Sequence, residues 1–467
     1  MPYYSPECLL QLLQCFPKHQ NKVQQIHSLL IINGHLFLSK TNHHFNSKWK
    51  ITLLYNALIR AHLSFGQTHN SLILFTQMLF HQTQPNSHTF PSLVKAASLC
   101  SLPCMGKALH AQAYKRGTMY DPFVPTSFVS FYADYGELSY VRKVFDEMSE
   151  PCIVGCNAMI DAYCKNGDMG SAISLFERMS ERDVVSWTSV VNGFRINQQF
   201  HEGIRFFKKM ISCSVKPNEA TYVSLFSLCS TLNGWGALYL GKEIHGHVVR
   251  NEIELTVFMG TSLIDFYGKC GLLNAATNVF NQMTVKKICT WNAMISALST
   301  NGQVKEALDL FQNLEKEGFT PNCVTFVTIL AACARGKFVE YGLKVFQSMS
   351  ADFGVVPVME HYGCIVDLLC KAGLLREATM FVKNMPFEPD ASVLGALFGA
   401  YTIHGISELE NDVQKRLLCM QPQQHSEPYI NLSNINANMQ KWDHAAGFRR
   451  MMLHASIQKI PAVSVIV

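Results

Sequence analysis

At 467 residues and 48% hydrophobic content, the chain has apolar material for an extended core, which excludes a disordered tail. Lys and Arg number 39 against 34 Asp and Glu, so bulk attraction for a polyanion is excluded and any nucleic acid must be held by a localised groove and specific side chains. No apolar run approaches the roughly 18 residues that cross a membrane, and the sixteen Cys include no C-x-x-C pair, which points to reduced, packed thiols over a disulfide framework.

Between Phe75 and Met349 a Phe three residues before a Met or Leu recurs at a repeating interval in seven pairs: Phe75/Met78, Phe145/Met148, Phe176/Met179, Phe207/Met210, Phe280/Met283, Phe311/Leu314 and Phe346/Met349. Such recurrence marks small repeated units that bury their apolar faces against one another. Aligned on these columns, units start near Thr52, Ser87, Pro122, Ile153, Val184, Glu219, Val257, Ile288, Cys323 and Met359 at spacings of 31 to 38 residues, with two more from Ala391. Within them, apolar pairs such as Leu58/Ile59, Met159/Ile160, Leu263/Ile264 and Met294/Ile295 mark the buried side of a first helix. Gly66, Gly136, Gly167, Gly271, Gly302, Gly373 and Gly405 hold the fifteenth place, where Gly ends that helix and turns the chain. Ala172, Ala276, Ala307 and Ala378, with Gly203 and Gly342, hold the twentieth, where a small residue lets two helices approach. Each unit is therefore predicted to be a helical hairpin, and the fold all-α, a solenoid of stacked hairpins. Cys100, Cys164, Cys270 and Cys370 recur near the ends of first helices. Tetratricopeptide units, with a fixed period of about 34, fit the uneven spacings poorly.

On these columns and unit lengths the chain resembles the pentatricopeptide repeat proteins of plants, in the subclass that alternates P, L and S repeats. The segment VVSWTSVVNGFRINQQFHEGIRFFKKMISCSVKPN at 184–218 is similar to a P repeat, and VFMGTSLIDFYGKCGLLNAATNVFNQM from Val257 to an S repeat. Gly106-Lys107 with His110, and Gly241-Lys242 with His245, mark L repeats. The resemblance implies a right-handed α-solenoid and the order P, L, S, S, P, L, S, P, L, S from Thr52. It divides the chain into a degenerate L-like repeat (about 4–38, with Gln25-Ile26-His27) and linker over 1–51, an array of about ten repeats over 52–390, and a tetratricopeptide-like extension over 391–467. Residues 391–424 and 425–460 resemble the paired E motifs of the subclass.

The resemblance also implies single-stranded RNA as ligand, each hairpin facing one base through its fifth and last residues. An Asp at the last place offers only acceptors, which suits uracil N3–H; an Asn amide can donate to cytosine N3 or adenine N1. At the fifth place, by resemblance, Thr favours purines and Asn pyrimidines. Carried over, Asn56/Asn86 implies C or U, Asn157/Asp183 U, Thr188/Asn218 A, and Asn292/Asn322 C or U. Thr126/Cys152 and Thr261/Lys287 keep a purine-leaning fifth residue with an unusual last one. Pro91/Asp121, Val223/Thr256, Val327/Val358 and Gly363/Asp390 lack a polar fifth side chain. The expected site reads Y–x–R–U–A–x–R–Y–x–x from 5′ to 3′. The competing view of any single such residue is an ordinary helix cap.

No catalytic residue, metal or cofactor is expected. Relatives in this subclass often carry a zinc deaminase with H-x-E and P-C-x-x-C motifs. Here His425-Ser426-Glu427 is an isolated H-x-E with no Cys after Cys419, and Pro151-Cys152 to Cys156 has the wrong spacing. With the chain ending at Val467, no deaminase domain is expected. The function implied by the resemblance is recognition of an organellar C-to-U editing site, with a deaminase recruited in trans and multiple organellar RNA editing factor proteins as further partners. Splicing or transcript protection, and a tetratricopeptide-like protein-binding scaffold, are the alternatives. Family membership implies mitochondrion, with chloroplast as alternative, although the first fifty residues contain no Arg and show no Arg-rich presequence.

Overall fold

Apolar residues spaced three and four apart form 24 α-helices and one 3-10 turn, with no strand, among the residues that the computed structural model describes: 5–15, 19–36, 48–148, 151–231, 235–404, 433, 437 and 442–454. They belong to two units, Met1–Thr231 and Leu232–Val467. The first contains α1 (Pro6–Cys15), α2 (Gln20–Ile32), α3 (Lys48–Ser64), α4 (Thr68–Phe80), α5 (Phe90–Leu99), α6 (Pro103–Lys115), α7 (Phe123–Asp134), α8 (Leu138–Asp146), α9 (Ile153–Lys165), α10 (Met169–Arg178), α11 (Val184–Ile196), α12 (Phe200–Ser212) and α13 (Glu219–Ser230). The second contains α14 (Trp235–Arg250), α15 (Val257–Lys269), α16 (Leu273–Gln282), α17 (Ile288–Thr300), α18 (Val304–Lys316), α19 (Cys323–Gly336), α20 (Val339–Ala351), α21 (Met359–Lys371), α22 (Leu375–Lys383), α23 (Ala391–His404) and α24 (Trp442–His454).

Within each unit the first helices of successive hairpins stack side by side. In the first, α3, α5, α7, α9, α11 and α13 form one layer; in the second, α15, α17, α19, α21 and α23 do. The second helices, among them α4, α6, α8, α10, α12, α16, α18, α20 and α22, lie against them as a second layer, which is the all-α solenoid of hairpins that the periodicity predicts. The Phe columns are the contact between hairpins. Phe176 meets Trp187 edge-on at 4.8 Å and Phe280 meets Trp291 at 5.1 Å, while Phe75, Phe207, Phe311 and Phe346 meet Phe90, Tyr222, Phe326 and Tyr362. The partner is each time the fourth residue of the next unit, which is also the fourth residue of its first helix except for Phe90, which opens α5. Phe145 and Phe346 are half-buried, and the other five column Phe are buried.

The uneven unit lengths have one structural cause. Second helices α4, α6, α12, α18 and α20 are 13 residues long and belong to the long units. In the short units, α8 and α22 have 9 residues and α10 and α16 have 10. The difference is one helical turn. Long second helices then leave through a left-handed residue (Gln82, Gly117, Ser214, Gly318, Gly354), whereas Met179 and Met283 continue directly in extended backbone.

First helices begin at Ile153, Val184, Glu219, Val257, Ile288, Cys323, Met359 and Ala391, as expected. Three differ. Helix α3 starts four residues before Thr52, its first turn carrying Lys50, whose ammonium pairs with Glu7 of α1 at 2.6 Å. Helix α5 starts at Phe90 because a turn bonded from Thr89 N–H to the Asn86 carbonyl precedes it. Helix α7 starts one residue after Pro122. Ala172, Ala276, Ala307 and Ala378 are fully buried, and a Cβ on Gly203 or Gly342 would lie 2.6 or 2.5 Å from Leu228 or Leu368 of the next first helix. Asn166, Asn197 and Asn301 add a tie between repeats: each side-chain amide donates to a carbonyl of the preceding first helix, at 3.4, 2.8 and 2.7 Å.

Fifteen cysteines are free among the described residues. Burial pushes the thiols of Cys164, Cys333 and Cys370 up to about 12, so they are protonated, inert packing groups at neutral pH. No described helix is long and apolar enough to cross a membrane. The turn expected at Gly405, the histidine of the H-x-E fragment, residues 37–47 and most of 405–467 lie outside the described residues.

Gly66, Gly136, Gly167, Gly271, Gly302 and Gly373 all adopt φ between +71° and +83°. Ser101, Gln198 and Lys337 occupy the same fifteenth place in units without Gly and take the same left-handed conformation, at +54°, +55° and +56°. Nothing lies within 4 Å of a Cβ added to Gly302, so Gly302→Ala should cost only backbone strain, about 1 kcal/mol. Lys337→Gly should stabilise by about 0.5 kcal/mol, the relief being partly offset by greater freedom of the unfolded chain. Denaturant unfolding of the two variants checks both signs.

Candidate nucleic-acid interface

From α9 onward a hairpin's last residue directly precedes the next first helix, so it is also that helix's N-cap; Asn86 and Asp121 stand slightly earlier, before α5 and α7. An N-cap side chain accepts from the backbone N–H two or three residues on, satisfying a donor that the helix leaves unpaired. Asp183, Asn218 and Asn322 do this through Oδ1, accepting from Ser186, Thr221 and Thr325 N–H at 2.8, 3.0 and 3.0 Å. Asp390 caps α23 through Val393 N–H at 2.9 Å and Thr256 caps α15 through Met259 N–H at 3.3 Å. Cys152 and Lys287 stand at the same place in extended backbone without a capping side-chain bond. The cap and the expected reader are therefore one residue, and capping leaves part of its side chain unused. In Asp183 the three bonds from Ser186 N–H, the Ser186 hydroxyl and the Asn157 amide all fall on Oδ1. Oδ2 carries none of them, and the residue is exposed.

The fifth residues lie one turn into the first helices, beneath these caps. Asn56, Asn157 and Asn292 are buried, at 2, 8 and 7% exposure. Asn56 Nδ2 donates to Asn86 Oδ1 at 2.9 Å, and Asn157 Nδ2 to Asp183 Oδ1 at 3.2 Å. The Thr188 hydroxyl approaches Asn218 Oδ1 at 3.5 Å and meets the Thr221 hydroxyl at 2.7 Å. Three of the four complete pairs expected from sequence are thus joined. The fourth is not hydrogen-bonded in the same way: Asn322 caps α19, while Asn292 Oδ1 is buried with no partner, as is Asn157 Oδ1. Thr126 spends its hydroxyl on the Pro122 carbonyl, not on Cys152. Thr261 meets Thr290 at 3.0 Å, with Lys287 exposed beside it.

The Asp183 carboxyl feels two opposed effects. Partial burial raises its pKa, but bonds from Ser186 N–H and hydroxyl and from the Asn157 amide outweigh it, and the group is held below the usual carboxylate range. It is an anion at neutral pH, with acceptors only.

Two features escaped the sequence reading. The third residue of the unit is a buried polar side chain in six hairpins: Thr89, just before α5, and Ser186, Thr221, Thr290, Thr325 and His361 within their first helices, all at 0% exposure. Each accepts the backbone N–H of the last residue before it, at 3.0 to 3.4 Å. Its signal in the sequence is a polar residue three places after Asn86, Asp183, Asn218 and Asn322, a capping-box spacing. Second, the residue after the cap's neighbour is apolar yet exposed in five hairpins: Phe123, Val154, Val185, Phe258 and Val324 are 44–64% exposed. Their signal is an apolar residue off the buried i, i+3, i+4 face. No group of three or more His, Cys, Asp or Glu placed to share a metal occurs among the described residues.

Models of the PPR repeat family match residues 151–184, 182–231 and 286–335, and models of the single PPR repeat match 261–288, 324–352 and 360–387. A pentatricopeptide repeat-containing protein of Arabidopsis thaliana is 46% identical over 465 residues, covering 99% of this chain and 97% of that one. Another from Arabidopsis thaliana, whose name adds chloroplastic, is 44% identical over 88% of this chain and 74% of that one. Among solved structures, a pentatricopeptide repeat protein in complex with an 18-nt psaJ RNA element aligns at TM-score 0.45 and 16% identity, over 97% of this chain and 75% of that one. Hairpins of 31 to 38 residues, matched repeat by repeat and related along nearly the whole length to a plant protein of the same build, make this chain a member of the pentatricopeptide repeat family.

Proposed function

We propose that the chain binds single-stranded RNA in a sequence-specific way, one base per hairpin, and serves as a site-recognition factor for C-to-U editing in an organelle. The observation that carries the RNA reading is the paired geometry of the fifth and last residues. Asp183 is fixed by its bonds through one oxygen and keeps the other at the surface, the arrangement that accepting uracil N3–H requires. Asn218 and Asn322 turn their oxygens to the helix, which directs Nδ2 outward as the donor that adenine N1 or cytosine N3 requires. The exposed Val154, Val185 and Val324 supply apolar surface next to these polar atoms, which suits a flat base with a polar edge.

The editing part rests on the resemblance of the array 52–390 to alternating P, L and S repeats and of 391–467 to E motifs. Of that extension, α23 and α24 lie among the described residues. In this proposal the chain is non-catalytic, and a deaminase acting in trans, together with editing-factor proteins, supplies the chemistry. The proposed compartment is an organelle, mitochondrion or chloroplast.

Two measurements test these parts separately. Asp183→Asn keeps a good N-cap, so the fold should persist while the acceptor becomes a donor. Preference at the fourth read nucleotide should move from U toward C by about tenfold or more, by analogy with other side-chain base contacts, in equilibrium binding to RNAs differing at that base. An unchanged preference would remove Asp183 as a reader. A plant lacking the gene should leave at least one organellar C unedited with transcript length unchanged. Full editing with altered splicing or shortened transcripts would favour the splicing or protection role, and RNA affinity independent of salt would favour a protein-binding scaffold.

A further inference from the structure

The buried third-place side chains form a chain of bonds whose direction is set by the backbone. Thr89 shows it in full. The Asn86 backbone N–H, which can only donate, points at the Thr89 hydroxyl oxygen at 3.0 Å. The hydroxyl proton is thereby directed onward: the Thr89 oxygen lies 2.7 Å from Asn56 Oδ1 and 3.1 Å from Asn86 Oδ1, and the shorter contact takes the proton. With its oxygen turned to Thr89, Asn56 must present Nδ2 on the other side, where it donates to Asn86 Oδ1 at 2.9 Å. Asn86 Oδ1 also accepts from His88 N–H at 3.2 Å. Its oxygen is held inward by two donors, and its NH2 is left to face outward from an exposed side chain. Thr89 touches no solvent and sits in the hairpin after the one whose reader it orients.

We propose that the third-place hydroxyls of Thr89 and Thr221 are positioning groups for the reader pairs before them, Asn56/Asn86 and Thr188/Asn218, fixing which way the last-place Asn amide faces and so which base edge it accepts. The proposal rests on the RNA-reading function above. Thr221 repeats the device at Thr188/Asn218, meeting the Thr188 hydroxyl at 2.7 Å and donating to Asn218 Oδ1 at 2.9 Å. Ser186 supplies the contrast. It gives its proton to Asp183 Oδ1 at 2.9 Å, does not reach Asn157, and leaves Asn157 Oδ1 buried without a partner. A carboxylate has two acceptor oxygens and no wrong way round, so an Asp reader needs no orienting hydroxyl. An amide does, since either of its ends can face the base. The geometry therefore assigns orienting power to Thr89 and Thr221 and only a capping role to Ser186.

The test is selection from a random-sequence single-stranded RNA pool with the purified full chain and its Thr89→Val, Thr89→Ser and Thr221→Val variants. Val keeps the shape and removes the hydroxyl; Ser keeps the hydroxyl. Thr89→Val should lose about tenfold in discrimination at the nucleotide facing Asn56/Asn86, with the other positions unchanged, and Thr89→Ser should retain it. Thr221→Val should do the same at the nucleotide facing Thr188/Asn218, four positions toward the 3′ end, and stands in if the first variant does not fold. A merely structural role would weaken binding to all sequences alike and leave the profile intact. That result, with the wild-type profile present, overturns the positioning role alone. A wild-type chain that enriches no sequence overturns the RNA reading and this proposal with it.

Discussion

The structure depends on a deficit of burial within the single hairpin. Two helices of about twelve residues leave apolar surface on a face that neither can cover, and only the next hairpin can cover it. Phe176 against Trp187 and Phe280 against Trp291 show the form this takes: a ring late in one second helix meets the edge of a ring four residues into the next first helix. Burial of such a side chain contributes about 1.5–3 kcal/mol, and the edge-to-face geometry adds about 0.5–1.5 kcal/mol. The regular contact fixes the register of each first helix relative to the hairpin before it. Asn166, Asn197 and Asn301 hold the far ends of those helices in the same register.

Register has a chemical consequence, because the junction between hairpins is a helix start. Every helix start needs an acceptor for its unpaired N–H groups, and an Asn or Asp there satisfies the need with one atom while a second polar atom remains. The repeated demand for a cap thus lays down a polar group at one hairpin junction after another within each unit. Buried third-place hydroxyls join the last residue to the fifth residue of the preceding first helix where they reach it, as Thr89 joins Asn86 to Asn56 and Thr221 joins Asn218 to Thr188. Cap and reader were competing explanations of these residues in the sequence. In the folded chain the cap is seen, and under the proposed function the same side chain also reads a base.

Much of this was legible in the sequence, for a physical reason. Periodic Phe and Met columns report packing that recurs hairpin by hairpin, so a frame drawn from them placed eight first-helix starts at the residue. The fifth and last places followed from the frame, and Asn56/Asn86, Asn157/Asp183 and Thr188/Asn218 do meet. What stayed hidden depends on three-dimensional neighbours. Thr89, Thr221 and Thr325 look like ordinary polar residues until the preceding hairpin is placed beside them. That Thr126 bonds its own helix and Asn292 leaves its oxygen unpaired could not be read from residue type. Nor could the one-turn difference between α12 and α10, because a spacing of 31 or 35 does not say which helix shortens. Left-handed Ser101, Gln198 and Lys337 show the frame overriding local preference.

The most direct test of the account is a crystal or cryo-electron structure of the chain bound to RNA carrying the Y–x–R–U–A–x–R–Y pattern. The account predicts uracil N3 within hydrogen-bond distance of Asp183 Oδ2, with the base against the layer of first helices. RNA lying on the second-helix layer, or bases turned away from Asp183 and Asn218, would contradict it.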